Sequence, residues 1–430
     1  MKIRNSKVPI VLFVLILLTI ASSALAVRAE DRPRLQKGDF VAICGDSITE
    51  QKLYSVYMQD YLLMCQPSAN LRTLQAGWSG ERAPGFLKRM AQDVLILKPS
   101  VATTCYGMND GGYSPMTDEK AAQYRDSQRE IVKKVKENGV SLIIVGSPGC
   151  VDSDTFRKKP EEAAMYNKTL AGLRDIARDV AKEENVVFAN VYDPMIEVMA
   201  KAKGRYGTSY HLAGGDGVHP AQNGHLVMAY AFLKAMGCDG EIGTITVDMG
   251  TGRAEATAGH KVLSSIKGAI EVESTRYPFC FFGEPNKPAS TSGVIEFLPF
   301  NQELNRFILV VKNVDTGSKC KVTWGAAARE YTGAEVAKGI NLAADFLVNP
   351  FCEQFRKTEE LIAKQQAFET ALTKSLLHRI SDYLAAVPDA NADFEGVIAK
   401  LCKKDIEVSE SSAASVVPVR HSIKIEVKQF

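Results

Sequence analysis

Residues 40–47 read FVAICGDS, an uninterrupted apolar run followed by a small polar turn. An apolar run without alternation is typical of a strand buried on both faces of a parallel sheet. A serine directly after such a strand lies at the carboxyl edge of the sheet, where open α/β folds bind their ligands. The stretch therefore predicts an α/β fold and already contains a candidate reactive hydroxyl, that of Ser47.

The same rhythm continues outward from this stretch over residues 38–238. Besides 40–44, the apolar runs predict strands at 71–76, 101–106, 140–145 and 186–190, and the amphipathic patterns predict helices at 52–65, 118–138, 161–184 and 223–236. Strands that alternate with helices indicate a parallel sheet that is covered on both faces.

The pattern changes at Gly240, after which strands and turns replace the alternation. Alternating or apolar runs predict strands at 242–248, 293–298, 307–314 and 319–324, and we expect a smaller antiparallel β-rich domain over 240–333. A helical segment, 334–405, follows and is interrupted near Asn349-Pro350, because proline cannot continue a helix smoothly. Small residues at 409–415 are typical of a linker, and residues 416–430 predict a C-terminal strand that returns to the β domain. The long charged helix 353–379 is compatible with a hairpin or with an oligomer interface.

The N-terminus has the pattern of an export signal. Lys2, Arg4 and Lys7 precede the apolar run 8–20, and Ala24-Leu25-Ala26 gives an A-x-A cleavage pattern. We therefore expect a signal peptide at 1–26 and a secreted or periplasmic protein without stable membrane insertion. An uncleaved anchor is the alternative, although the apolar run is short for a membrane span.

Composition argues against several classes of protein. The net charge is +2, and no basic run is interleaved with aromatics, so nucleic-acid binding has little support. The nine cysteines are scattered, without a C-x-x-C pair or zinc-ligand spacing. We expect no metal and no cofactor, and we expect Cys44 and Cys105 to be inert core residues.

Two motifs carry a nucleophile and a base. Ser47 follows the first strand, where helix N–H groups stabilise negative charge, although serine in this place is also a common helix cap. Asp216-Gly217-Val218-His219 precedes the last helix of the first domain. His219 is a candidate base, and Asp216, three residues earlier on a tight turn, can reach its other ring nitrogen. His211 lies in the same loop, whereas His225 lies inside the following helix and is interpreted as a packing residue.

Two further motifs follow the second and third strands. Gly77-Trp78-Ser79-Gly80-Glu81 and Gly107-Met108-Asn109-Asp110 are expected at the same sheet edge as Ser47. Glycine allows a backbone N–H to approach a ligand, and an asparagine amide donates to an oxyanion. Each motif alone is an ordinary turn, but nucleophile, base, acid and donors at one edge together indicate an active site.

The four blocks resemble those of the SGNH (GDSL-like) hydrolases over residues 38–237. The resemblance implies a flavodoxin-like three-layer fold with a five-stranded parallel sheet and metal-free ester hydrolysis through an acyl-enzyme. It also implies a catalytic triad of Ser47, Asp216 and His219 and an oxyanion hole of Ser47, Gly80 and Asn109. Further candidates for lining the substrate site are Asp46, Trp78, Asp110 and His211. One residue of the second block differs from the family pattern, because this chain has Gln75 where many members have asparagine.

Ile48 in place of the leucine of G-D-S-L is common in members that act on carbohydrate esters. We therefore expect a carbohydrate O-acetyl esterase whose partner is an acylated carbohydrate. Two alternatives stay open, namely a lipase or acyl-thioesterase of the same fold and a non-catalytic surface binding protein. Aromatics of the second half are candidates for sugar contacts, although such residues are more often core: Tyr277, Phe279, Phe281, Phe282 and Trp324. The oligomeric state is left open.

Overall fold

A five-stranded parallel sheet organises the first half of the chain in the computed structural model, which describes residues 35–65, 70–284, 287 and 289–428. Its strands lie in the order β2-β1-β3-β4-β5, and every neighbouring pair is parallel. They are β1 (Phe40–Gly45), β2 (Arg72–Gly77), β3 (Val101–Cys105), β4 (Leu142–Gly146) and β5 (Val187–Ala189). The predicted parallel sheet is confirmed, whereas the predicted signal at 1–26 lies outside the described residues.

Among the described residues, seven α-helices connect and cover these strands: α1 (Ser47–Glu50), α2 (Tyr54–Asp60), α3 (Ala83–Asp93), α4 (Asp118–Glu137), α5 (Pro160–Glu183), α6 (Tyr192–Tyr206) and α7 (Gln222–Ala235). A wider helical turn, Tyr61–Cys65, extends α2. Every residue of β1 is buried, as its continuous apolar sequence predicts. The arrangement is the predicted flavodoxin-like three-layer fold. The sequence pattern missed two of these helices, α3 and α6, which begin close to Pro84 and Pro194.

Two further sheets form the β-rich part. Its strands are β6 (Glu241–Asp248), β7 (Ala254–Ala256), β8 (His260–Ile266), β9 (Ala269–Ser274), β10 (Arg306–Lys312), β11 (Lys319–Trp324), β12 (Ala327–Thr332), β13 (Ile340–Asn341) and β14 (Val419–Lys428). One sheet has the order β13-β10-β6-β7 and the other β12-β11-β14-β9-β8. The expectation of purely antiparallel pairing is wrong for β6 and β10, which are parallel because a long connection separates them.

Helices of the second half correct two further predictions. They are α8 (Thr291–Val294), α9 (Phe300–Glu303), α10 (Gly333–Lys338), α11 (Leu342–Asp345), α12 (Cys352–Ala371), α13 (His378–Ala386) and α14 (Asn391–Ala414). The predicted strand at 293–298 is wrong, because the Ser290 side chain accepts the Gly293 N–H and starts α8 instead. The predicted linker at 409–415 is also wrong, because α14 continues and buries Ser409 and Ser412 against its neighbours.

The aromatic candidates of the second half pack inside the protein. Tyr277, Phe279, Phe281 and Trp324 are buried, and Phe279 contacts Phe300, Phe281 and Phe355. The core interpretation is therefore the correct one for these four side chains.

The helix α12 covers the outer edge of the parallel sheet. Strand β2 is an edge strand, and the N–H of Gln75 donates to a side-chain carboxyl oxygen of Glu369 at 2.7 Å. Ser55 and Gln59 on α2 pair with Gln366 and Gln365 at 2.7 and 2.9 Å. An edge that would otherwise template strand pairing is thereby closed.

Residues from Leu35 onward form one compact unit, and the domain boundaries drawn inside it stay predictions. In the part of the chain that the structure describes, no helix is both long enough and apolar enough to cross a bilayer.

Candidate active site

Ser47, His219 and Asp216 form a continuous hydrogen-bonded chain. Ser47 Oγ lies 2.8 Å from His219 Nε2, and His219 Nδ1 lies 2.7 Å from Asp216 Oδ2. The serine is the first residue of α1, and the other two belong to the loop before α7. Residues 172 positions apart in sequence therefore meet at the carboxyl edge of the sheet. The arrangement allows the imidazole to take the hydroxyl proton while the carboxylate fixes the tautomer.

The local turn explains why Asp216 reaches His219. Asp216 Oδ1 accepts the N–H groups of Val218 and His219, both at 2.9 Å, which leaves Oδ2 for the ring. Gly217 has a φ of +80°, and a Cβ there would lie 2.4 Å from the Phe156 nitrogen. Burial raises the pKa of Asp216, but the backbone and imidazole hydrogen bonds outweigh it and hold the pKa below its ordinary value. The carboxylate is therefore ionised near neutral pH, and the 56% exposure of its side chain favours the same state.

Asp46 caps the short helix that carries the serine. Its Oδ1 accepts the Ile48 N–H at 2.9 Å, and the residue is buried. Burial raises the pKa of Asp46 to about 7, although the Ile48 hydrogen bond opposes this shift. Asp46 thus fixes the start of the helix that holds Ser47 in place.

The Gly80 loop, residues 77–82, leads from β2 to α3. Gly80 itself is exposed with a φ of +75°, a backbone conformation that favours glycine. Beneath it, the buried Glu81 carboxylate accepts two hydrogen bonds from Arg89 and one from Tyr106. Arg89 also donates to the Ala76 carbonyl at 2.9 Å. This cluster anchors the loop to the sheet. The sequence motif includes Glu81, but it gives no indication of Arg89 or Tyr106.

Asn109 faces the serine loop from the end of β3. Its Nδ2 donates to the Glu81 carbonyl at 3.1 Å and lies 3.4 Å from Asp46 Oδ2. The Tyr113 hydroxyl donates to Asn109 Oδ1 at 3.0 Å and so fixes which end of the amide faces Asp46. Tyr113 has a positive φ of 54°, which is uncommon for a large side chain and typical of functional loops. The sequence interpretation missed it, and its position four residues after Asn109 is the only signal.

The other predicted site residues lie close by with different contacts. Asp110 joins two loops, because its carboxylate accepts the N–H groups of Ala83 and Gly107, both at 2.9 Å. Burial raises the pKa of Asp110 to about 6. His211 Nδ1 lies 4.0 Å from Asp152 Oδ1. His225 is buried inside α7, and its ring accepts the Tyr54 N–H at 3.2 Å, so it packs as expected.

A pocket of about 320 Å³ opens beside Gly80. Trp78, Ser79, Arg82 and Lys88 contribute to its wall. The Trp78 ring also contacts His378, with 4.9 Å between ring centroids, so only part of it faces the pocket. Over the described ranges, no three His, Cys, Asp or Glu side chains gather closely enough to hold a metal ion.

Fold and site together describe a flavodoxin-like three-layer domain with a serine–histidine–aspartate constellation at its sheet edge, as in serine hydrolases. Residues 43–227 match the model of the GDSL-like Lipase/Acylhydrolase family. These residues form a domain similar to the GDSL-like (SGNH) hydrolases, which supports an ester-hydrolysing enzyme, and the rest of the chain lies outside the match.

One curated relative and two solved structures are similar to this chain over different shares of its length. An acetylxylan esterase from Geobacillus stearothermophilus is 25% identical over 215 residues, which are 46% of this chain and 91% of that protein. Among solved structures, a gut microbial diltiazem-metabolizing enzyme aligns with a TM-score of 0.68 and 21% identity over 93% of this chain and 99% of its own. That alignment shows a shared fold that extends through the second half. The crystal structure of the Geobacillus acetylxylan esterase aligns over 48% of this chain and 97% of its own, with 22% identity and a TM-score of 0.40.

Proposed function

We propose that the protein is an exported serine esterase that removes O-acetyl groups from carbohydrate through an acyl-enzyme. The observation that carries the proposal is the 2.8 Å contact between Ser47 Oγ and His219 Nε2, continued to Asp216. This distance lies within the reach that a general base needs for a hydroxyl proton.

In the proposed reaction His219 takes the Ser47 proton while Oγ attacks the ester carbonyl. Asp216 holds the ring and stabilises the imidazolium. The tetrahedral intermediate collapses when His219 gives the proton to the leaving sugar hydroxyl. Water, activated by the same imidazole, then releases acetate from Ser47.

Three donors are proposed for the oxyanion, namely the N–H groups of Ser47 and Gly80 and the Asn109 amide. The Glu81 cluster holds the Gly80 loop, and the Tyr113 hydroxyl holds the Asn109 amide. Each such donor is typically worth about 3 kcal/mol of barrier.

The carbohydrate part of the proposal has two supports. One is the likeness to an acetylxylan esterase along 91% of that relative. The other is the pocket beside Gly80, whose wall includes Ser79, Arg82 and Lys88. Polar walls favour a hydroxyl-rich ligand over a long acyl chain, because desolvating them against hydrocarbon is unfavourable. Export rests on the sequence of residues 1–26, and N-terminal sequencing of the mature protein tests it.

The experiment is fluorophosphonate labelling of the purified protein, with Ser47→Ala and the exposed-serine control Ser411→Ala. Esters of p-nitrophenol with acetyl to octanoyl groups follow, and then acetylated xylo-oligosaccharides. We expect label on wild type and on Ser411→Ala but not on Ser47→Ala, and the highest kcat/KM for acetate. A folded wild type without label contradicts the serine mechanism, and a preference for octanoate replaces the carbohydrate assignment with a lipase.

A further inference from the structure

The Gly80 loop contacts the C-terminal helical segment as well as the rest of its own domain. Lys374, in the wide turn Leu372–Leu377 between α12 and α13, places its Nζ 2.7 Å from Glu50 Oε1. The other oxygen of Glu50 accepts both the N–H and the hydroxyl of Ser79, each at 2.5 Å. An unbroken polar path therefore runs from the C-terminal segment to the residue that precedes Gly80.

The residue before Ser79 is held from the same side. Lys374 Nζ lies 4.9 Å from the centre of the Trp78 ring, and the His378 ring contacts the same indole. His378 in turn lies 2.9 Å from Asp93 Oδ2 at the end of α3. Two consecutive residues of the Gly80 loop thus depend on side chains at 374 and 378.

The Glu50–Lys374 pair is shielded enough to matter for the position of the loop. Their side chains are 19% and 29% exposed, and the pair spans 324 residues of sequence. Burial raises the pKa of Glu50, but hydrogen bonds from Lys374 and Ser79 outweigh it and hold the pKa below its ordinary value. A partly buried carboxylate that loses its cation turns toward water, and Glu50 would then release the Ser79 N–H.

We infer that Lys374 is a positioning residue of the esterase site, which acts through Glu50 and Ser79 to hold the Gly80 N–H toward the oxyanion. The inference rests on the proposed function, and it gives the C-terminal segment a task in the reaction. Lys374 itself touches no reacting atom. A misplaced donor weakens the transition state more than the ground state, so turnover and not binding is the affected quantity.

The test compares Lys374→Met, which keeps length and removes charge, with Lys374→Arg, which restores the charge. The matched control is Lys357→Met, because Lys357 makes an exposed ion pair with Glu353 on α12 at 2.6 Å. With p-nitrophenyl acetate we expect kcat to fall about 10- to 100-fold in Lys374→Met while KM stays within about twofold. We expect Lys374→Arg to recover most of the loss and Lys357→Met to match wild type.

A second measurement does not depend on activity. Hydrogen exchange of the peptide that spans the Gly80 loop is expected to accelerate in Lys374→Met but not in Lys357→Met, with equal melting temperatures. Unchanged exchange overturns the inference, and so does an unchanged kcat or a loss confined to KM in an active enzyme. If wild type lacks both turnover and Ser47 labelling, the proposed function fails, while exchange still decides whether Lys374 orders the loop.

Discussion

Replacing Tyr113 by phenylalanine isolates one hydrogen bond of the site. The Tyr113 hydroxyl donates to Asn109 Oδ1 at 3.0 Å, and this contact keeps the Nδ2 end of the amide toward Asp46, the residue before Ser47. A neutral hydrogen bond is worth about 1 kcal/mol, which corresponds to about fivefold in rate. Removing the whole donor in Asn109→Ala sets the upper limit, at about 10²- to 10³-fold in kcat.

The assay is steady-state hydrolysis of p-nitrophenyl acetate by Tyr113→Phe, Asn109→Ala and the control Tyr192→Phe. The control also removes one hydroxyl contact, because the Tyr192 hydroxyl donates to the Asn167 carbonyl at 2.8 Å. This contact does not involve Asn109 or the triad. We expect kcat to fall about fivefold in Tyr113→Phe with an unchanged KM. A full wild-type kcat in this variant, beside a large loss in Asn109→Ala, would refute the orienting role of Tyr113.

Three further predictions concern the triad, a thiol and the pH dependence of stability. Asp216→Asn is expected to lower kcat about 10²- to 10³-fold, the low end for triads, because the carboxylate is 56% exposed; an effect below tenfold contradicts its role. Hydrogen bonding from Cys280 lowers the pKa of Cys352 to about 7 against the effect of burial, whereas burial raises the pKa of Cys402. Iodoacetamide at neutral pH should therefore alkylate Cys352 before Cys402, as followed by peptide mapping. Alkylation in the reverse order would contradict this prediction. Burial raises the pKa of Glu369 from 4.5 to about 8, so the folded state keeps a proton that the unfolded state loses, and stability falls as pH rises through about 8. Thermal unfolding at pH 6 and pH 9 should show a smaller difference for Glu369→Gln than for wild type, and an equal difference would exclude this contribution.

The first half of the fold could be read from the sequence because its signals are local. A continuous apolar run predicts a doubly buried strand, and the turn after each strand predicts which residues share the sheet edge. Ser47 and His219 are therefore expected near each other before any distance is known. The family resemblance adds roles, and the structure adds the contacts of Tyr113 and Glu81, which no spacing encodes.

The second half could not be read to the same depth, for a different physical reason. The apolar residues at 293–298 are compatible with a strand or a buried helix, and the Ser290 cap decides between them. The parallel pairing of β6 with β10 depends on contacts across 65 positions, as in the pair Arg306 and Glu241. Lys374 and Glu50 are still farther apart in sequence, so local periodicity contains no information about their contact.

The central place of β14 has a consequence for how the protein folds. This strand pairs with β9 on one side, where Val419 meets Ser274, and with β11 on the other, where Val427 meets Cys320. Both neighbours are made long before it and expose unpaired strand edges until it arrives. Pairing across such long sequence separation is slow, and open edges invite association between chains. The second sheet can therefore close only after the last strand has emerged, which makes the interval before its closure the period of greatest risk of aggregation.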